Sequence, residues 1–226
     1  MSTVKVAETI KKVQVILQDK TSVRWPEQEL LDWFNLAQQD IVNHRPDSKS
    51  ETLLFECNEG TRQVIPAQAL RLIAVQRNED SGKQVYSVIT QVEQDILDQQ
   101  HEDWHNPSRS ADKIQHYTYD DRLPKEFMLF PGAKAGHKIR IAISTAPVFI
   151  KIEPGKFDTD EQVIGLDDTY VNPIMDYMLY RAYSKNVDFG QGNLAMAAYQ
   201  SYANALGIKA QMDRAISPQP EITSSN

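Results

Sequence analysis

The segment His-Glu-Asp-Trp-His at residues 101–105 is the densest group of side chains in this sequence that could carry out chemistry. Two histidines four residues apart on a helix can share a metal ion, and a neighbouring carboxylate can assist hydrolysis. The order of these residues differs from the His-Glu-x-x-His metalloprotease motif, and residues 106–112 are typical of a loop. No third metal ligand is identifiable from the sequence. We therefore interpret 101–105 as part of a solvated loop. A metal-dependent hydrolase that uses His101 and His105 remains an alternative.

Other patterns that suggest chemistry are incomplete. Residues 158–168 are acidic but lack the spacing and closing glutamate of a calcium loop, so we expect a linker whose end, Asp168 or Thr169, caps a helix. Residues 131–136 lack the Gly-Lys-Ser/Thr ending of a phosphate loop and are interpreted as a hairpin turn. Cys57 falls in an apolar strand pattern and is expected in the core. We predict no catalytic residue, no metal site and no cofactor, and thus not an enzyme.

Composition limits the possible partners. The chain has 226 residues, of which 41% are hydrophobic, and a formal net charge of -7. That charge argues against tight, sequence-specific binding of nucleic acid, although nucleic acid could still slide past the protein. The single cysteine cannot form an internal disulfide, which fits a reducing cytosol. The start lacks the apolar core of a signal peptide, and no run approaches the ~18 apolar residues of a membrane span. We expect a soluble intracellular protein that does not contact a membrane.

Helical periodicity marks both ends of the chain. Apolar residues recur every three or four positions in residues 3–19, and the stretch 23–46 has Pro26 at the expected first helical position and Pro46 at its end. Two further helices are predicted after residue 165, separated by the Phe-Gly-Gln-Gly-Asn sequence at 189–193. The last of these helices is rich in alanine, serine and tyrosine, so it can approach its neighbours closely while the tyrosines fill the gaps.

Short segments with β-branched and aromatic residues occupy the middle of the chain. Seven candidate strands can be recognised, at 51–57, 62–65, 70–77, 83–89, 114–120, 126–131 and 137–144. We predict an α+β fold in which N- and C-terminal helices form a bundle and an antiparallel β unit, sandwich or barrel-like, is inserted between them. The predicted domains are 1–50 with 165–216 for the bundle, 51–164 for the β domain and 217–226 for a flexible tail.

Four side chains in the predicted helices are candidates for contacts between subunits. Trp25 and Trp33 could anchor an interface, although we expect one of them to pack against the other helices. Arg181 could pair with an acid inside the bundle or with a neighbouring chain, and Tyr202 lies on the closely packing last helix.

Several segments, in their order along the chain, resemble the head-to-tail adaptor (connector) proteins of tailed bacteriophages, especially short-tailed ones. The resemblance covers about residues 4–208 and depends on the order of packing patterns, since none of them is a reaction centre. The segments are VRWPEQELLDWFNLAQQDIVNHRPD, IPAQALRLIAVQRN, APVF and LDDTYVNPIMDYMLYRAYSKN followed by GNLAMAAYQSYANALG.

The resemblance implies a structural virion protein of the tail or neck, assembled in the host cytoplasm. It implies a ring, commonly of twelve copies, that docks beneath the portal, contacts a downstream tail protein (a nozzle or tail tube) and surrounds a channel through which the genome passes. It also implies that the C-terminal segment docks on the portal. The predicted docking residues are Ile216, Ser217, Pro218, Gln219, Pro220, Glu221 and Ile222. A monomeric module that binds carbohydrate or another tail protein remains a further alternative.

Overall fold

The chain forms two compact units in the computed structural model, which describes residues 2–79, 87–106, 110–185 and 192–216, with side chains as far as residue 207. One unit combines 1–45 with 147–226, and the other consists of 46–146. The chain therefore passes between them twice, each time at a proline, Pro46 and Pro147. The domain bounds given above stay a prediction.

The helical unit begins with two helices that bury the predicted apolar faces. Helix α1 spans Val6–Ile16 and helix α2 spans Glu27–His44. Pro26 lies just before α2, with φ -54° and ψ 144°. The helix therefore begins one residue later than the predicted first helical residue, Pro26. Between the helices, the Asp19 carboxylate accepts hydrogen bonds from the backbone N–H groups of Trp25, Arg24 and Val23. The bond from Trp25 contributes most to lowering the pKa of Asp19.

The later helices are α4, Val171–Ser184, and α5, Gly192–Ile216. A 3₁₀ turn precedes α4, and its cap is Asp167, whose side chain accepts the N–H of Thr169 at 3.0 Å. The prediction of Asp168 or Thr169 as the cap was therefore wrong by one or two positions. Asp168 instead accepts hydrogen bonds from Ser2 and Thr3. The predicted break at 189–193 lies largely outside the described residues.

The connection from residue 147 to α4 is held by buried amide side chains of α2. Asn35 donates to the carbonyl of Ile150 and accepts from its N–H, both at 2.9 Å. Gln38 accepts the N–H of Gly165 at 2.7 Å, and a Cβ on this glycine would lie 2.9 Å from the Gln38 Oε1 atom. Glycine therefore permits the close approach that this hydrogen bond requires.

The acidic part of the same connection pairs with α1 and with the residue just before it. Lys5 and Lys11 lie 2.6 Å and 2.7 Å from the carboxylates of Glu161 and Asp158. Backbone hydrogen bonds join Val6 to the Gln162 carbonyl, at 2.9 Å, and Ile164 to the Val4 carbonyl, at 3.1 Å. Residues 158–164 therefore lie alongside the start of the chain and are bonded to it.

The β unit consists of short strands and one short helix. The strands are β1 Ser50–Glu56, β2 Gly60–Val64, β3 Ala69–Asn78, β4 Thr90–Gln91, β5 His116–Thr118, β6 Glu126–Ala133 and β7 Lys138–Thr145, and helix α3, Gln94–Gln100, lies between β4 and β5. One sheet has the order β1-β7-β3 and the other β2-β6-β5-β4. Every described pair of strands is antiparallel except β4 with β5. Both sheets are open, which confirms the α+β class and leaves no closed barrel among the described strands.

Six of the seven predicted strand segments coincide with β1, β2, β3, β5, β6 and β7. For the segment 83–89, residues 83–86 lie outside the described residues, and Val88 forms an isolated bridge with Arg77. Residues 131–136 do not form the predicted hairpin, because β6 and β7 belong to different sheets. Cys57 is buried as predicted, and burial raises the pKa of its thiol to about 12.

Asp168 provides a pH-dependent link between the start of the chain and α4. Its hydrogen bonds to Ser2 and Thr3 lower its pKa from 3.8 to about 2. Because the folded-state pKa is depressed, the link stabilises the fold fully above the unfolded pKa, and this contribution is lost as pH falls from about 4 to about 2. We expect Asp168→Asn to lower the free energy of unfolding at pH 6, with a difference from the natural protein that narrows below pH 4.

Urea unfolding at pH 6, 4 and 3 measures this difference. Asp32→Asn is the matched control, since Asp32 is exposed and its hydrogen bond among the described residues is a 3.5 Å contact from Gln28. If the free energies of unfolding of Asp168→Asn and the natural protein differ by the same amount at pH 6, 4 and 3, the assigned pH dependence of the Asp168 link is contradicted.

Candidate assembly surface

Four tyrosines join α4 to α5. Tyr177 and Tyr180 lie one turn apart on α4, and Tyr199 and Tyr202 lie one turn apart on α5. Their ring centroids are 5.2 to 6.3 Å apart, with tilted or edge-on planes. This geometry is favourable for aromatic pairs, so the tyrosine cluster holds the two helices together.

Tyr202 also connects α5 to α2. Its side chain is 3% exposed, and its hydroxyl donates a hydrogen bond to the Asp40 carboxylate. Burial, reinforced by the charge of Asp40, raises the pKa of Tyr202 well above its usual value, so the hydroxyl remains a donor at physiological pH. The same Oδ2 atom of Asp40 lies 3.5 Å from the His44 Nδ1 atom.

The outer face of α5 is uncharged over residues 192–207, the part of the helix whose side chains are described. Residues 192–207 contain no aspartate, glutamate, lysine or arginine. Leu194, Met196 and Tyr199 are exposed by 48%, 59% and 46%. We call this face the α5 surface; its other exposed residues are small or uncharged, namely Gly192, Asn193, Ala197, Gln200, Ser201, Ala203, Asn204 and Gly207. A partner can cover it without desolvating a charge, which is the main penalty against burying an ordinary helix surface.

A second exposed apolar area lies between α1 and α4. A shallow groove of about 430 Å³ is lined by Lys11, Lys12, Val15, Ile16 and Met175. Val15 and Ile16 are 55% and 45% exposed. The helical unit therefore has two different surfaces that suit contact with another protein.

Three of the four predicted interface residues are buried within the helical unit. Trp25, Trp33 and Tyr202 are 4%, 7% and 3% exposed, and the Arg24 guanidinium lies 4.8 Å from the centre of the Trp25 ring. Arg181 is exposed and forms no ion pair within the described part of the chain. Contacts between subunits through these four residues stay a prediction.

The predicted portal-docking residues can be located only at their start. Ile216 is the last residue of α5, and its side chain lies outside those described. Residues 217–222 lie outside the described residues altogether.

The two histidines of the alternative hydrolase have separate partners. The His101 ring stacks on Phe130 at 4.7 Å, whereas His105 lies against Trp104 and its Nδ1 atom is 3.0 Å from the Thr61 hydroxyl. Trp104 is 2% exposed, so the solvated-loop interpretation is wrong for this residue. Among the described residues, no three of the His, Cys, Asp and Glu side chains form a group that could hold a metal ion.

Sequence reasoning missed the residues that give this unit its polar connections. Asp40 is one acid among several on α2, and nothing in the local pattern distinguishes it as the partner of Tyr202. The tyrosine spacing on α4 and α5 is a local signal that could have indicated the cluster.

Across the described residues, no helix is both long enough and apolar enough to cross a bilayer.

The hydrogen bond between Tyr202 and Asp40 predicts that removing the hydroxyl of Tyr202 destabilises the protein more than removing that of Tyr199. We expect Tyr202→Phe to lower the free energy of unfolding by about 1–2 kcal/mol, because it removes a partly buried hydrogen bond to a charged group. Tyr199→Phe is the matched control, because Tyr199 is 46% exposed, and we expect a change below about 0.5 kcal/mol. Urea denaturation at pH 7 checks both values; equal losses would contradict the proposed role of the hydroxyl.

The family model described as SU10 adaptor protein matches residues 4–221. No curated protein matches the chain.

Proposed function

Because this chain belongs to the SU10 adaptor protein family, a family of structural phage proteins, we propose that it forms the ring that joins the portal to the tail. The observation that carries this proposal is the match across residues 4–221, which spans both compact units. The ring would contain twelve copies, contact a nozzle or tail tube on its far side and become part of the virion neck after assembly in the host cytoplasm.

The α5 surface supports assembly into a ring. Copies arranged around a closed ring contact each other through two different surfaces, so each copy needs two complementary faces. The α5 surface and the groove between α1 and α4 are two such faces on the same unit. Both expose aliphatic side chains that would be covered when neighbouring copies pack side by side.

The net charge of the chain supports passage of DNA without binding to it. Each copy carries a formal charge of -7, and a ring multiplies this charge around the central channel. An acidic wall repels phosphate groups, so the genome could pass without adhering and without sequence-specific contacts.

The C-terminal segment is the proposed contact with the portal. Residues 217–226 contain two prolines and little that could form a core, and they follow directly after α5. A segment of this composition can order on a partner and cover a large surface there.

Electron microscopy of the protein mixed with the portal of its own phage tests this function. We expect a ring of copies on the portal. Met196→Glu should prevent the ring, because it places a charge in the centre of the α5 surface, and removal of residues 217–226 should abolish binding to the portal.

Gln28→Glu is the control for Met196→Glu, since it adds the same charge to an exposed position of α2. Portal binding by the truncated protein that equals that of the full chain would reject the docking of the tail. Portal without any bound ring at saturating full-length protein would reject the function itself.

A further inference from the structure

Asp176 on α4 is a half-buried carboxylate without a cation. It forms no hydrogen bond and no ion pair within the part of the chain that the structure describes. Burial raises the pKa of its carboxyl above the usual value. Because a charge that is partly removed from water needs a partner, this side chain would gain from a cation that another molecule supplies.

The Asp176 carboxylate lies beside the groove between α1 and α4. Its neighbour Met175 lines that groove together with Val15 and Ile16. Successive residues are about 100° apart around a helix, which puts Asp176 on the side of α4 opposite the buried Ile174. A molecule that fills the groove therefore lies next to this carboxylate.

Arg181 is a cation without an acidic partner on the same helix. It is exposed and forms no ion pair among the described residues. It lies one turn from Tyr177, whose ring packs on Tyr202 of α5 at 5.3 Å. Burial raises the pKa of Tyr177 and the charge of Arg181 opposes this rise, so the two side chains are close to each other. Arg181 therefore lies on the α5 side of α4.

This guanidinium also borders the α5 surface. The two contacts between tyrosines of different helices show that α4 and α5 run antiparallel. One of them joins Tyr180 to Tyr199 at 5.2 Å. Arg181 follows the first of these residues and is therefore level with Ala198, one turn from the exposed Leu194. The uncharged α5 surface thus has a cation at its border.

The other cations of the helical unit are less suitable partners for this carboxylate in another copy. The first lines the groove itself, the second lies over the ring of Trp25, and the last two belong to connecting segments. Those without an acidic partner among the described residues are, in that order, Lys12, Arg24, Lys20 and Lys151.

Asp176 and Arg181 are not placed to pair within one helix. Five positions correspond to a rotation of about 500°, so the two side chains leave α4 in directions about 140° apart. One copy therefore offers an anion at the groove and a cation at the α5 surface. Contacts in a closed ring are head-to-tail and bring two different surfaces together, so each group can meet its counterpart on an adjacent copy.

We propose that the α5 surface of one copy packs on the groove of the next, where Arg181 of the first copy pairs with Asp176 of the second. Leu194 then covers the aliphatic side chains of the groove. A two-fold contact of groove with groove, or of α5 with α5, would leave the Asp176 carboxylates without a cation. This inference rests on the proposed ring and states which surfaces meet and which ion pair sets their register.

Crosslinking of two variants, each with one added cysteine, tests this contact with the full chain in solution. Leu194→Cys and Ile16→Cys place a thiol on the α5 surface and in the groove, and a short bismaleimide captures even a weak contact. We expect dimers that contain one chain of each type, which a tag on one of the chains identifies. The native Cys57 is a poor competitor because its side chain is 3% exposed.

A charge exchange in the same variants tests the ion pair itself. Arg181→Glu is placed in the Leu194→Cys chain, and Asp176→Lys in the other chain. Either change alone should lower the yield of mixed dimers by about 5- to 10-fold, because like charges then face each other. Both changes together should restore most of the yield, and this recovery also shows that both changed chains fold.

Lys20→Glu and Glu59→Lys are the matched controls for these charge changes. Both residues are exposed, form no ion pair within the described ranges and lie outside α5 and the groove. We expect each control to leave the yield of mixed dimers within about 2-fold of the starting value.

The outcomes distinguish this contact from the proposed function. Dimers only between chains of the same type, the absence of any dimer, a yield unchanged by either charge change, or losses that add when both are combined would overturn the contact. Rings of the natural chain on the portal would then leave the function standing. Conversely, a portal left bare by the natural chain, together with mixed dimers and recovery on charge exchange, would reject the function and retain the contact.

Discussion

The carboxamide of Asn35 holds the chain where it returns to the helical unit after the β unit. It is 3% exposed and forms two hydrogen bonds with Ile150, so it acts as the partner that a neighbouring strand would otherwise supply. Loss of this side chain would leave two buried peptide groups unsatisfied, each at a cost of about 1–3 kcal/mol. Gln38 and Asp40 follow within two turns of α2 and fix Gly165 and Tyr202. One helix therefore positions the connecting segment, the approach to α4 and the middle of α5.

Local patterns were sufficient to predict most helices and strands, because each depends on a repeat of apolar residues. The isoleucines of β7 illustrate this, since Ile139, Ile141 and Ile143 alternate along the strand and all are fully buried. Partners far apart in sequence were not predictable in the same way. Asp167 and Asp168 are adjacent and chemically identical, yet one caps a turn and the other binds Ser2 and Thr3, because only the fold brings the start of the chain to one of them.

The candidate surface was harder to predict than the fold for a related reason. Trp25 and Trp33 were interface candidates because they are large aromatic residues, but such residues also gain most from burial within the same chain, and both are buried there. Trp104 shows the same effect in the other unit, where it is buried and its indole N–H donates to Asp98 of α3 at 2.7 Å. The α5 surface is different, since its distinguishing property is the lack of charge along a whole exposed face. That property has meaning only when it is known which residues the fold leaves exposed.

The exposed apolar surfaces of the helical unit are small compared with a stable interface between proteins. Such an interface buries about 800 Å² per partner, whereas the part of α5 with described side chains is only about 24 Å long. Contact through this surface alone is too small to hold two free copies together, and the absence of charge at 192–207 limits its attraction at long range. If copies assemble on a common partner, as we propose, the high effective concentration there would make their contact with each other nearly intramolecular. The proposed assembly would then keep the copies dispersed until that partner is present.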